Sequence, residues 1–188
     1  MPKKPPPPLK QVMPLIRVRQ IRNFTKKAVT IAELDAISRV IRWTGTSRNE
    51  QPLRFIVVRD RALIEEIAEA GLPQTRGLPT APAIIAIVEP DEEERGVSRA
   101  FDDGRAVERI IIAANMIGLG AGISRIRGGL RPTIDTLLGV PDGRSVRSLV
   151  GIGHPSKEGL ERKSRPGEAR LPLEDVVYQG QWPAPAEE

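Results

Sequence analysis

The sequence predicts a single domain of the α+β class, and three segments carry this prediction. Thr30 and Glu33 form a capping box ahead of apolar residues at helical spacing, which predicts a helix over residues 31–43. The run from Ala83 to Val88 is apolar on both faces, as is typical of a central strand in a covered sheet. Residues 102–119 predict a helix whose second half is apolar around most of its circumference, so it lies either in the core or against a second subunit.

Length and composition favour one compact unit with short extensions. The chain has 188 residues, of which 39% are hydrophobic and 28% charged, which is typical of a globular protein. We divide it into a Pro-rich basic arm (1–14), a single domain (15–182) and a tail (183–188). Apolar runs stay below the roughly 18 residues that a membrane span needs, and the N-terminus resembles no leader, so we expect no membrane contact and a cytoplasmic location.

Composition also narrows the chemistry. With no cysteine and a single histidine, the chain lacks thiolate nucleophiles, disulfides and an ordinary zinc site, so we expect no metal. The histidine, His154, has no GxSxG serine to serve, and we expect it to follow a strand and fix a turn at Pro155. Nucleic acid is not an expected partner, because aromatic residues make up only 3% and no helix shows a continuous basic face.

The remaining elements follow from local signals, first in the N-terminal half. Residues 1–14 contain four consecutive prolines and read as a polyproline arm, followed by a helix or short turn near residues 15–20. Residues 54–59 predict a strand, and Asp60 then caps a helix that Gly71 ends. Residues 72–82 contain prolines that prevent regular structure, which predicts a loop.

In the C-terminal half, Asp102 is expected to cap the long helix, although with Asp103 and Glu108 it could instead form an acid–base or metal set. The run Gly118-Leu119-Gly120-Ala121-Gly122 ends that helix instead of opening one after a strand, so it is not a Rossmann fingerprint. The glycines of the longer segment 118–129 are expected to leave its backbone approachable by a flat ligand. The other predictions are a strand at 123–126, a helix from Pro132 to Gly139, a strand at 148–153, a mobile loop at 159–167 and a strand signal at 176–178.

Two short polar segments suit an anion. Residues 1–30 contain eight Lys or Arg and no Asp or Glu, and within them Arg19 and Arg22 are spaced so that two forked guanidinium groups could reach one phosphate. The segment Gly45–Pro52 adds neutral hydrogen-bonding side chains from a loop that opens with glycine, namely Thr46, Ser47 and Asn49. Together the segments predict a site for a phosphate and the polar chain attached to it.

Five segments, taken in order, resemble the FMN-dependent nitroreductase family from about residue 15 to 182. The family's Arg-x-Phe opening is matched by Arg22 and Phe24, with Arg19 before them and Gln20 where the family has serine. Its Ser-x-x-Asn-x-Gln-Pro-Trp loop is matched by Thr46, Asn49, Gln51 and Pro52, with Leu53 in place of tryptophan. Asp102-x-Gly104-x-Ala106 and the stretch from Ala113 to Gly120 match the family's central helix and its exit. The closing third is matched by Leu138 to Pro141, Gly151 to Pro155 and Arg170 to Val177. The family most often has tyrosine where His154 stands.

The resemblance implies an FMN cofactor, NADH or NADPH as co-substrate, and ping-pong hydride transfer through flavin N5 to a nitroaromatic, quinone or similar small acceptor. No side chain is then catalytic. Arg19 and Arg170 would hold the phosphate, Gln20 the ribityl chain, and Arg22 the N1 and C2 carbonyl edge. The implied cofactor-binding set is Arg19, Gln20, Arg22, Gly45, Thr46, Ser47, Asn49, Gln51, Arg127, Gly128 and Arg170.

The resemblance further implies a mixed sheet flanked by helices and a homodimer with FMN at the subunit interface. The loop at residues 46–49 would reach the partner's flavin, and the tail strand near residues 176–178 would join the partner's sheet. Two alternatives stay open: a flavin-binding sensor or carrier without useful turnover, and a flavin-dependent dehydrogenase or dehalogenase with residues 72–101 as its pocket lid.

Overall fold

A computed structural model describes residues 8–161 and 170–182 of the chain, and it has the α+β architecture that the sequence predicts. Six helices and four strands alternate irregularly along these residues. The helices are α1 (Pro8–Arg17), α2 (Ile31–Ile41), α3 (Arg61–Ala70), α4 (Gly96–Met116), α5 (Arg131–Leu137) and α6 (Lys157–Leu160). The strands are β1 (Arg54–Val58), β2 (Ala83–Pro90), β3 (Gly120–Arg125) and β4 (Arg144–Gly153).

The four strands form one sheet in the order β1-β2-β4-β3. All three neighbouring pairs are antiparallel, so the expectation of a mixed sheet is wrong for the strands described here. Strand β2 lies inside the sheet and is buried from Ala83 to Glu89, which confirms the central strand predicted from its apolar run. The same position excludes residues 83–90 from the pocket lid expected over residues 72–101, because they form an inner strand of the sheet.

Helices cover both faces of the sheet. Alternation along β2 sends Ile85 towards α2 and α4 and Ile84 towards the opposite core, as the two-residue period of a strand requires. The first core includes Leu34, Ile37, Ile110 and Val150, and the second includes Ile64, Ile67, Ile134 and Leu149. Most of these side chains have no exposed surface, so the sheet is a rigid platform on which a site can be built.

The predicted helix starts are confirmed at α2 and α3 and corrected at α4. Thr30 and Glu33 form the reciprocal capping box, and the Asp60 carboxylate accepts from two backbone N–H groups of α3. Helix α4 begins at Gly96, one and a half turns before Asp102. Asp102 is therefore an interior residue and not a cap; it is buried, and its carboxylate accepts from the Ser47 N–H at 3.1 Å.

The two ends of the described chain differ from the sequence predictions. Residues 8–14 lie in α1 and do not form a polyproline arm, since Pro8 stands at the first helical position, where its fixed φ and missing N–H are tolerated. Residues 1–7, most of the charged loop at 159–167 and the tail from 183 lie outside the described residues. Residues 176–178 are not a strand within this chain; a short 3₁₀ turn at Leu173–Asp175 precedes them.

Among the helices described, none is long and apolar enough to cross a membrane.

Candidate functional site

A cavity of about 960 Å³ opens beside the edge strand β3. Four parts of the chain form its wall: the segment at 19–23, the turn at 73–77, the end of β3 and the region of α6. The side chains are mostly polar, with several positive charges. The lining residues are Arg19, Gln20, Arg22, Asn23, Pro73, Gln74, Arg76, Gly77, Ile123, Ser124, Arg125, Glu158, Gly159 and Glu161.

Two glycines of β3 fix the position of the first polar segment. The N–H of the buried Ile21 donates to the Ala121 carbonyl at 2.8 Å, which lays the segment along β3. A Cβ at Gly122 would lie 2.3 Å from the Ile21 carbonyl oxygen, and one at Gly120 would lie 2.7 Å from Ile21 Cβ. Gly122 therefore admits the backbone of Ile21 and Gly120 admits its side chain, so the expectation of a backbone open to a flat ligand is wrong at these two glycines. At Gly128, in contrast, a Cβ would meet no atom within 4 Å.

The predicted residues Arg19, Gln20 and Arg22 all line this cavity. Arg22 donates to the side-chain carbonyl of Gln20, and its stem packs against the turn, 3.0 Å from the position of a Cβ at Gly77. Arg19 donates to the backbone carbonyls of Leu160 and Glu161 at the end of α6. The two arginines are thus held by different parts of the wall, Arg22 beside the turn and Arg19 at the end of α6.

The charges of the cavity wall are unevenly distributed. Its two carboxylates, Glu158 and Glu161, belong to α6 and its end, and Glu158 accepts from the Asn23 side chain at 2.6 Å. The opposite wall, made by the turn and β3, contributes Arg76 and Arg125 and no carboxylate. That wall is an electropositive surface suited to an anionic ligand.

Three more predicted residues lie near the cavity or outside it. Arg127 does not line the cavity, but its Nε lies 2.7 Å from the side-chain amide of Gln74, which does. Gly128 follows at the start of a short 3₁₀ turn. Arg170 is exposed and is not among the lining residues within the described part of the chain, so the structure of a single chain does not bring it to the cavity.

The second polar segment lies elsewhere on the chain. Ser47–Asn49 form a 3₁₀ turn, and the segment is anchored to α4 through Asp102 and through Arg105, which donates to the Gly45 carbonyl at 3.2 Å. Thr46 Oγ accepts from the Gln51 N–H at 2.9 Å. Thr46 and Gln51 line a separate, mainly apolar cavity of about 320 Å³. The structure therefore does not bring the two segments together within one chain.

The segment at 46–51 also holds an unusual backbone. Arg48, Asn49 and Gln51 have φ values of 51°, 55° and 51°, in the left-handed region that residues with a Cβ seldom adopt. Such conformations cost free energy, and they persist only where the surrounding structure fixes them. Here the anchors to α4 supply that support, and the exposed Arg48 and Asn49 side chains project from the surface.

His154 follows β4, as the sequence predicts. Its carbonyl accepts from the Thr25 N–H at 2.9 Å, and the next residue, Pro155, pairs with Phe24, so this turn ties the first polar segment to the sheet.

Sequence reasoning missed Gln74, Arg76 and Arg125 as parts of the cavity wall. Their only signal was an arginine in a proline- and glycine-rich turn and another at the end of a strand, and both are common on ordinary surfaces.

A buried carboxylate lies outside the cavities. Asp103 on α4 is 5% exposed, and burial raises its pKa to about 6 despite a hydrogen bond from the Ser148 hydroxyl at 2.7 Å. Burial also raises the pKa of Glu89, which is paired with Arg147. Asp103 Oδ1 and Glu89 Oε2 have no partner among the described residues. This cluster belongs to the core and not to the candidate site.

Comparisons with known proteins show that the chain is similar to nitroreductases in sequence and in fold. The chain is 29% identical over 148 residues to a curated protein of Archaeoglobus fulgidus whose provisional name is NADH dehydrogenase/NAD(P)H nitroreductase. The match spans 74% of this chain and 82% of the relative. No family model matches the chain.

Two solved structures share the fold. An FMN-dependent nitroreductase from Clostridium difficile superposes with a TM-score of 0.78 at 22% identity, covering 90% of this chain and 98% of the other. NADPH:FMN oxidoreductase from Vibrio harveyi, solved with NAD⁺, gives 0.75 at 23% identity, covering 92% and 78%. The resemblance inferred from the sequence motifs is confirmed, and so is the α+β fold class that it implied.

Proposed function

We propose that this chain is an FMN-dependent NAD(P)H oxidoreductase of the nitroreductase type. One observation carries the proposal: the segment whose motif resembles the family's flavin-binding segment forms a wall of a cavity rich in guanidinium groups. At about 960 Å³ the cavity falls within the roughly 300 to 1,000 Å³ of small-molecule sites. The names of the relatives point the same way.

The donors present fit the proposed cofactor. FMN carries a phosphate dianion on a hydroxylated chain, and guanidinium groups bind phosphate through paired, charge-assisted hydrogen bonds. Arg19 would hold the phosphate, and Gln20 can replace the family's serine because its amide both donates and accepts. Arg170 is assigned to the phosphate by resemblance alone.

The protein supplies position and charge to this reaction. Bound FMN would supply the hydride acceptor, its N5 atom, between NAD(P)H and a second substrate, so no side chain need act as an acid or base. Arg22 would place a fixed positive charge beside the N1 and C2 carbonyl edge, where negative charge develops. Its stem is held by Gly77 and its guanidinium by Gln20, so that charge is oriented in advance. The two substrates would use one cavity in turn, which gives ping-pong kinetics.

We further propose that the site is shared between two subunits. The segment at 46–49 lies away from the cavity of its own chain and is rigidly anchored, as expected of a loop that completes the flavin site of a partner. The exposed residues 176–178 would then join the partner's sheet. The acceptor would be a nitroaromatic, a quinone or a similar small molecule.

Mixed dimers test the shared site. Arg22→Ala and Asn49→Ala should each lower FMN binding, and the two proteins would then be unfolded together and refolded as a mixture. If the two segments belong to different subunits, each mixed dimer contains one intact site, and about a quarter of the wild-type FMN capacity returns. Recovery no greater than that of the separate variants would show that both segments serve the same chain, and a monomer at micromolar concentration would refute the shared site.

A further inference from the structure

Two arginines of the cavity wall lack a partner among the residues that the structure describes. Neither Arg76 nor Arg125 makes a hydrogen bond or an ion pair within the described part of the chain, and both are exposed. The proposed FMN contacts use neither of them. Guanidinium groups that line one cavity without a counter-charge repel each other, and an anion that binds there relieves this repulsion.

The two arginines share one side of the cavity. Arg76 lies in the turn at 73–77, and Arg125 ends β3. The stem of Arg22 lies between these elements, 3.0 Å from a Cβ position at Gly77 and 2.8 Å from one at Gly122. Both carboxylates of the cavity lie on the wall formed by α6 and its end. No carboxylate that lines the cavity from the turn or from β3 therefore neutralises Arg76 and Arg125.

Resting on the proposed function, we propose that Arg76 and Arg125 form a second anion subsite, distinct from the FMN phosphate contacts, that takes the 2′-phosphate of NADPH. The protein then prefers NADPH to NADH as reductant. Arg127, fixed against Gln74 at the edge of the same wall, adds to the local positive charge.

The choice of a phosphate monoester follows from charge and geometry. A monoester carries about −1.5 to −2 charge at neutral pH and three acceptor oxygens, enough for two forked guanidinium groups at once. The reductant must enter the cavity that holds the flavin, and NADPH differs from NADH only by this group. Because both arginines are exposed, the subsite lies at the solvent-facing rim of the cavity.

Steady-state kinetics on the FMN-loaded protein test the subsite. We expect wild-type kcat/KM to be higher with NADPH than with NADH. Arg76→Ala and Arg125→Ala should each lower the NADPH value by about 10-fold, as expected for a lost charge-assisted hydrogen bond, and leave the NADH value within about twofold. Arg125→Lys keeps the charge but loses the forked donors, so it should recover only part of the loss. Arg59→Ala is the matched control, since Arg59 is exposed and lines none of the cavities described.

Equilibrium binding gives a readout that needs no turnover. Calorimetry with adenosine 2′,5′-bisphosphate and with adenosine 5′-monophosphate should show tighter binding of the bisphosphate to the wild type, and that advantage should vanish in Arg76→Ala and Arg125→Ala. Equal losses for NADPH and NADH, or a wild type without NADPH preference, would overturn the subsite. Protein that binds no FMN, or that oxidises neither dinucleotide, would instead refute the proposed function, so the two failures are distinguishable.

Discussion

Replacing Gly122 by alanine tests how the cavity is built. The new Cβ would lie 2.3 Å from the Ile21 carbonyl oxygen and 2.8 Å from Arg22 Cγ. Ordinary contact begins at 3.4 Å, so the segment that carries Arg19, Gln20 and Arg22 must move away from β3 by about 1 Å. The 2.8 Å hydrogen bond between Ile21 and Ala121 is strained by the same movement.

Two quantities should change together. Overpacking of this kind costs about 1 to 3 kcal/mol of unfolding free energy, measured as a lower urea midpoint. A displacement of about 1 Å also misplaces Arg22, so the dissociation constant of FMN, followed by quenching of flavin fluorescence, should rise by about 10-fold or more.

Gly104→Ala is the matched control. Gly104 is exposed within α4, and its Cβ would meet no atom within 4 Å. The same chemical change should therefore stabilise the protein by about 0.5 to 1 kcal/mol, because glycine is a poor helix former. If Gly122→Ala leaves both the urea midpoint and FMN affinity at wild-type values, the segment is not held by close packing on β3, and the argument for the cavity wall is wrong.

Two further predictions concern the core and a helix start. Burial raises the pKa of Asp103 from 3.8 to about 6 in the folded protein, so its ionisation should lower the unfolding free energy by about 2 to 3 kcal/mol as the pH rises from 4 to 7. Asp103→Asn should remove this decrease. An unfolding free energy from urea titrations that depends on pH equally in the two proteins would contradict the prediction. Thr30→Ala deletes the capping box of α2 and should lower the unfolding free energy, measured by urea titration, by about 1 kcal/mol. Thr136→Ala is the control and should have a smaller effect, because the Thr136 hydroxyl only donates to the Pro132 carbonyl within α5.

Much of the fold follows from local sequence patterns. The capping box of α2, the Asp60 cap of α3 and the apolar run of β2 each require a particular structure whatever surrounds them. Asp102 shows where such reasoning fails, because an aspartate that caps a helix and one buried within it look alike in sequence. Only the tertiary contact with the Ser47 N–H separates them.

The candidate site was predictable in part. Arg19, Gln20 and Arg22 are close in sequence and were found as a motif, and all three line the cavity. Arg76 and Arg125 are 49 positions apart, and nothing local marks either of them, so only the sheet topology brings them to one wall. The glycines of β3 were recognised as a signal for close approach, but the sequence alone does not say that the approaching group is the chain itself.

Anaerobic stopped-flow absorbance of the FMN-reconstituted protein mixed with NADPH tests the central claim most directly. The oxidoreductase account predicts that about one FMN binds per chain and that its long-wavelength absorbance band bleaches within seconds and returns when a quinone or nitroaromatic is added. Protein that binds FMN but bleaches more slowly than minutes would be a flavin sensor or carrier instead. Protein that is colourless after incubation with excess FMN and removal of the unbound FMN would contradict the account altogether.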